Sequence, residues 1–230
     1  MDNLSKRLEQ CRKTGRKRLN LSDLAISDLE CALEFQGLEI IEFDRTPISD
    51  LTPLSELRQL REVHCCCAKV KDLTPLAQLH QLSVLNCGWN KITDLTPLAG
   101  LKQLQRLSCY LTNIIDLTPI EGLTDLKRLD CHSSNVSDLT PLTKLERLEY
   151  LNCASTEITD LKPLVSLTGL VSFECSHTCV SDLTPLAGLT KLKEFYCSYT
   201  DVFDFRPIAA LREAGLSVYD DTYDDTYDDY

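Results

Sequence analysis

Cysteine is the residue most able to do chemistry in this chain, at 12 of 230 positions. Seven of the twelve recur at a fixed interval of 22: Cys65, Cys87, Cys109, Cys131, Cys153, Cys175 and Cys197. Such a column could ligate a metal, pair into disulfides or supply a nucleophile. Zinc needs four ligands converging on a tetrahedron, whereas a column of this kind sets successive sulfurs in a line at about one strand spacing, ~4.8 Å. Seven is an odd number, so the column cannot be fully paired. The reading that fits is small apolar packing in a core. Cys175-x-His177-x-Cys179 comes nearest to a ligand cluster, but alternation turns Cys175 inward while His177 lies at a strand exit, and no metal is expected there. Cys66 and Cys67 stand outside the column as accessible thiols. An enzyme built on Cys66 with His64 is weighed against the absence of any P-loop, zincin, nucleophile-elbow or dinucleotide-binding motif. The four histidines, His64, His80, His132 and His177, fall in different repeats. The expectation is a non-catalytic chain with no cofactor.

The elements that position these residues follow from the same interval. Asp-Leu-Thr-Pro-Leu begins at Asp72, Asp94 and Asp182, with close variants at Asp50, Asp116, Asp138 and Asp160. Aspartate holds this place through nine consecutive turns, from Asp28 to Asp204. Leucine-rich columns run in parallel with it through Leu95, Leu98, Leu101, Leu82, Leu85 and Ile92. A side chain that returns every 22 residues stacks on its neighbour in the next coil. Within a repeat, Leu85 and Cys87 point one way and Val84, Asn86 and Gly88 the other, a short strand with one buried face. In Asp94 to Leu98, aspartate can cap the first amides and proline fixes φ where no donor is needed. Leu95, Leu98 and Leu101 then dip inward, which fits a short helical or 3-10 segment.

The pattern L-x-x-L-x-C-x-x-N-x-I-x-D-L-x-P-L resembles the 22-residue class of leucine-rich repeats found in internalins and in a regulatory subunit of protein phosphatase 1. The resemblance covers residues 16–211. It implies an α/β fold: a right-handed solenoid of about nine repeats, with a parallel sheet on the concave face and short helical or 3-10 segments on the convex face. Cys11 to Gly15 followed by Leu19-x-Leu21 also resembles the entry to leucine-rich repeat regions of bacterial Roco-type proteins. Two columns depart from the family pattern. Cysteine replaces the usual leucine, and of the expected asparagines only Asn90 is present. Thr46, Thr112, Ser134, Thr156, Thr178 and Thr200 offer hydroxyls instead, and Ala68 offers nothing polar, so a break is expected there.

Four segments result. Residues 1–15 read as a capping helix, 16–207 as the solenoid, 208–219 as a C-terminal cap and 220–230 as a disordered tail with six aspartates. Ala214 stands where the ladder asks for leucine, so the register should slip near Gly215.

The net charge is −11, with +5 over residues 1–20 and −6 over 220–230. This balance argues against nucleic acid, which needs a basic face. No run approaches 18 apolar residues, so no membrane span is expected. The polar N-terminus has no signal-peptide core, which points to a reducing cytoplasm with free thiols. Early strands should expose Glu39, Glu42, Asp44 and Glu62, an acidic entry, and late strands Glu174, Glu194, Tyr196 and Tyr199. Between them lie Trp89, Arg106, Tyr110, Lys127, Arg128, Asp130, His132 and Tyr150. Trp, Tyr and Arg dominate binding hot spots. A monomeric protein-binding module follows, with Trp89, Arg106, Tyr110, Arg128, Asp130, His132, Tyr150 and Tyr196 as contact residues and an acidic protein segment as partner. The alternative is a sensor or regulatory part of a larger signalling or effector system, its acidic tail modulating binding.

Overall fold

The computed structural model describes residues 3–221. Helix α1 (Asn3–Lys13) leads into ten three-residue strands. They are β1 (Arg18–Asn20), β2 (Ile40–Glu42), β3 (Glu62–His64), β4 (Val84–Asn86), β5 (Arg106–Ser108), β6 (Arg128–Asp130), β7 (Tyr150–Asn152), β8 (Ser172–Glu174), β9 (Glu194–Tyr196) and β10 (Ser217–Tyr219). All pair in parallel, in chain order, as one sheet. From β1 to β9 the register keeps the 22-residue interval, with Leu19 opposite Ile41 and Leu107 opposite Leu129. The central residue of each of these nine strands is buried and its flanking residues turn to the open sheet face, the two-residue alternation of a half-buried strand.

The return path of each coil is set by its aspartate. The Asp94 carboxylate accepts the Thr96 amide at 2.7 Å, and Asp116 holds Thr118 in the same way at 2.7 Å. Proline follows directly, its missing N–H falling where a first-turn amide has no helical acceptor. The segments that start here, such as Thr96–Leu98, are 3-10 helices. Each drops an apolar side chain, Leu98 or its equivalent and in most coils a leucine, into the core at 0% exposure. Burying a leucine contributes about 1.5–3 kcal/mol, yet no coil encloses its own leucines. The core is continuous from Cys11 to Leu216 because every coil covers the next.

The hydroxyl column serves the turn that follows each strand. Thr112 donates to the Cys109 carbonyl at 2.6 Å, Ser134 to Cys131 at 2.6 Å and Thr178 to Cys175 at 2.6 Å. Ala68 cannot do this, but the expected break does not occur. The Asn90 amide, one coil further on, reaches back to the Cys65 carbonyl at 2.8 Å, and its oxygen accepts the Val70 N–H at 2.9 Å. A carbonyl left over by one coil is satisfied by its neighbour.

A second column is backbone-driven. Asp23, Arg45, Cys67, Trp89, Leu111, Ser133, Ser155, His177 and Tyr199 all have φ between 51° and 63°. A left-handed conformation costs a residue with a Cβ roughly 1–2 kcal/mol. It persists because these amides tie coil to coil, as Trp89 N–H to the Tyr110 carbonyl at 2.8 Å.

Both ends of the stack are covered. Helix α1 buries Cys11 over the first coil, and Arg12 holds Glu34 through two bonds of 2.6 Å. At the other end a 3-10 turn runs into α2 (Ala209–Glu213), and Glu194 pairs with Ser217, one residue beyond the regular interval. Ala214 and Gly215, the latter at φ 101°, absorb the extra residue, so the register slips where the sequence places it. The acidic tail at 222–230 lies outside the described residues.

Candidate protein-binding surface

The open sheet face is built from the first and third residue of each strand and from the residue two places after it. Arg106 opens β5 and Arg128 opens β6, and they lie directly opposite each other. The Arg128 guanidinium sits over the Tyr150 ring, 4.0 Å from its centroid, a cation–π contact that holds it in place without neutralising it. Burial raises the Tyr150 phenol above its ordinary value. With Asn86, Ser108 and Asp130 these residues line a shallow depression of about 180 Å³. Among the described residues neither arginine makes an ion pair, whereas Arg12, Arg18, Arg45, Arg147 and Arg206 each hold a carboxylate.

Tyr110 and His132 occupy the next column. Their rings stack at 4.8 Å and 7°, and His132 Nδ1 lies 2.7 Å from Asp130 Oδ1. The Tyr110 ring reaches back over Gly88, where a Cβ would fall 2.5 Å from it, and its hydroxyl lies 2.9 Å from Cys66 Sγ. Burial raises both the Tyr110 phenol and the Cys66 thiol. Cys66 is therefore not an activated nucleophile, and His64 points to Glu62, at 3.5 Å, rather than to it.

Two expected contact residues lie apart from this centre. Trp89 is not a strand residue. It occupies the left-handed turn after β4, 57% exposed on the rim. Tyr196, third in β9, stacks on Tyr219 at 4.4 Å near the end of the sheet. The acidic entry is also less acidic than its sequence. Lys17 holds Glu39, and both Arg18 and Asn20 hold Glu42. At the late end, burial raises the Glu174 carboxyl. The contacts of Cys66 and Tyr219 escape a reading by column because each spans coils. A glycine at 88, one interval before a tyrosine, is the one sequence signal that could have revealed the first.

All seven column thiols are buried, at 2% exposure or less. Burial pushes Cys87 and Cys131 up to about 12. The expected result is that, in native buffer, an aromatic disulfide reagent labels exposed Cys179 at once and the column only at the rate of global unfolding. Equal rates would remove the packing role. Cys179 is exposed while Cys175 is buried and the His177 ring stacks on Tyr199. Among the described residues no group of three or more His, Cys, Asp or Glu could hold a metal ion, and no helix is long and apolar enough to cross a membrane.

Coils of 22 residues, a single parallel sheet and 3-10 returns define a leucine-rich repeat solenoid, in general a protein-interaction module. No protein-family model and no curated protein matches the sequence. Among solved structures, an internalin (InlF) from Listeria monocytogenes shares 28% identity over 89% of this chain, with a TM-score of 0.83. Internalin C2 of the same bacterium shares 23% identity over 94%, with a TM-score of 0.77. The functional domain of InlJ, also from that species and described as including a cysteine ladder, shares 22% over 89%, with a TM-score of 0.56. The protein is an internalin-like leucine-rich repeat protein. The chain spans 60% of the InlF structure, 92% of internalin C2 and 53% of InlJ.

Proposed function

We propose that this chain is a non-catalytic, monomeric module that binds an acidic segment of a protein partner on its concave face, centred on Arg106 and Arg128. One observation carries the reading. In a chain of net charge −11, two guanidinium groups face each other across neighbouring strands, and among the described residues neither is ion-paired to a carboxylate. Like charges in that position oppose folding by some tenths of a kcal/mol to about 1 kcal/mol. A partner carboxylate entering the depression beside Tyr150 reverses that penalty. Tyr110 and His132 flank it, and Trp89 on the rim and Tyr196 further along the sheet supply outer contacts. The same reading keeps the chain in a reducing, cytoplasmic setting, on the strength of its twelve free thiols.

The test compares capture from native lysate by the wild type, Arg106→Glu/Arg128→Glu and, as a control, Arg147→Glu, whose arginine pairs with Asp125. Reversing two desolvated contacts costs roughly 3 kcal/mol or more, a loss of about a hundredfold. The bound protein should disappear from the double variant and remain on the control, with all three melting alike. Retention by all three removes the central arginines from the binding site.

A further inference from the structure

Cys66 and Cys67 are adjacent in sequence, and their sulfurs lie 3.6 Å apart on the rim of the same face. Both side chains are half-buried, within reach of small solutes. Between Thr46 and Thr200 theirs is the coil whose turn has no polar side chain of its own, since Ala68 stands where the others have Thr, Ser or Asn. Its coil-to-coil amide bond, from Cys67 N–H to the Gly88 carbonyl, is 3.1 Å, against 2.8 Å for Arg45 and Trp89 on either side. We propose that Cys66 and Cys67 are a modification site, a vicinal dithiol that hydrogen peroxide closes into a reversible disulfide, resetting Tyr110 at the edge of the binding face.

The chemistry balances with peroxide as oxidant. The Cys67 thiolate attacks peroxide, the O–O bond breaks, and a sulfenic acid and one water form. The neighbouring sulfur then attacks the sulfenic sulfur, the S–O bond breaks, and a second water leaves. Two thiols and one peroxide become one disulfide and two waters. The sulfurs must approach to about 2 Å, a movement of roughly 1.5 Å from their present separation. Adjacent Cα atoms lie about 3.8 Å apart, closer than ordinary disulfides prefer. Such a bond is strained and readily reduced, the property of labile disulfides rather than structural ones.

The consequence follows from the contacts of Tyr110. Its hydroxyl rests on Cys66 Sγ, and its ring stacks on His132, which meets Asp130 beside Arg106 and Arg128. Closing the disulfide turns the Cys66 sulfur toward Cys67 and takes away that support. This second step rests on the binding role proposed above; the dithiol chemistry does not.

The full chain is treated with hydrogen peroxide, alkylated and digested. The expected peptide containing Cys66 and Cys67 has lost two hydrogens and accepts no label at either position until dithiothreitol is added. Trp89, the single tryptophan and the neighbour of Cys67 in the left-handed column, reports the closure as reversible quenching of its emission. Cys66→Ser keeps a hydroxyl for Tyr110 and should show neither change, with an unaltered melting curve. Sulfinic acid, mixed disulfides or persistent labelling at Cys66 and Cys67, under peroxide that oxidises exposed Cys179, overturns the site. A disulfide that forms without changing capture sensitive to Arg106→Glu/Arg128→Glu overturns only the coupling to Tyr110. Capture indifferent to the arginines overturns the binding role and leaves the dithiol standing.

Discussion

Replacing Asn90 with alanine will lower the unfolding free energy by about 3–4 kcal/mol, more than any other single change on the polar ladder. The side chain is 5% exposed and makes contacts that no other residue duplicates. Its Nδ2 donates to the Cys65, Cys87 and Gly88 carbonyls at 2.8, 3.1 and 3.0 Å, and its Oδ1 accepts from Val70. A buried polar group left without a partner costs roughly 1–3 kcal/mol, and alanine strands at least the Cys65 carbonyl and the Val70 amide. The loss is large against a typical domain stability of 5–15 kcal/mol. In a stack whose stability sums over neighbouring coils, it also weakens one interface selectively. Urea denaturation followed by circular dichroism should show a lower midpoint and a broadened or split transition. A second substitution identifies the cause. Ala68→Thr in the Asn90→Ala background supplies the hydroxyl that Thr46 and Thr112 use, returning a donor to Cys65. It should recover about half of the loss; no recovery would show that the contact to Cys65 is not what Asn90 contributes.

The same residue shows where a sequence reading stops. Repetition makes the fold legible, because a 22-residue interval without insertion leaves stacked coils as the only way to bury its leucines. Ala214 in a leucine column foretells the shifted pairing of β10. Ala68 likewise looks like a gap when each coil is taken separately. The repair comes from Asn90 one coil later, and a side chain that crosses between coils leaves no mark in its own column. Tyr110 follows the same rule over a longer distance. Its contact with Cys66 is 44 residues back and exists because Gly88 leaves room between them. Trp89 is placed outside its strand for a different reason. Alternation holds only while the strand lasts, and β4 ends at Asn86, so three residues later the backbone has already turned left-handed and carried the indole to the rim. Arg106 and Arg128 were legible because their positions lie inside strands, where parity alone sets direction. The pairing of Arg18 and Lys17 with the early glutamates depends on long side chains bending toward one another, which parity does not set.

Acid will unfold this protein over a narrow interval, between about pH 4 and pH 2, and the aspartate ladder sets that interval. Asp50, Asp72, Asp94, Asp116, Asp138 and Asp182 are each held below the ordinary aspartate value, first by the threonine hydroxyl two residues on and then by its amide. Asp204 is held down to about 2 by Arg206. A group whose folded value is depressed stabilises the fold above its unfolded value and loses that contribution as pH falls through the folded value. Each such aspartate therefore takes up its proton more readily in the unfolded chain, and the slopes add. The carboxylates are exposed, so each contributes little alone; the effect comes from their number and from acting in one cooperative stack. An opposing term acts at higher pH. With 35 acidic and 24 basic side chains, the first protons relieve negative self-repulsion. Stability should thus change little or rise slightly down to about pH 4.5, then fall steeply, where cap loss and growing positive charge act together. Urea midpoints measured from pH 7 to pH 2 test this directly. Asp72→Asn, Asp94→Asn and Asp116→Asn combined keep an oxygen to accept each amide but cannot titrate, so the acid limb should become shallower while the midpoint at pH 7 moves little. An unchanged slope in the triple variant would place the acid sensitivity elsewhere than in the turns that begin each coil's return.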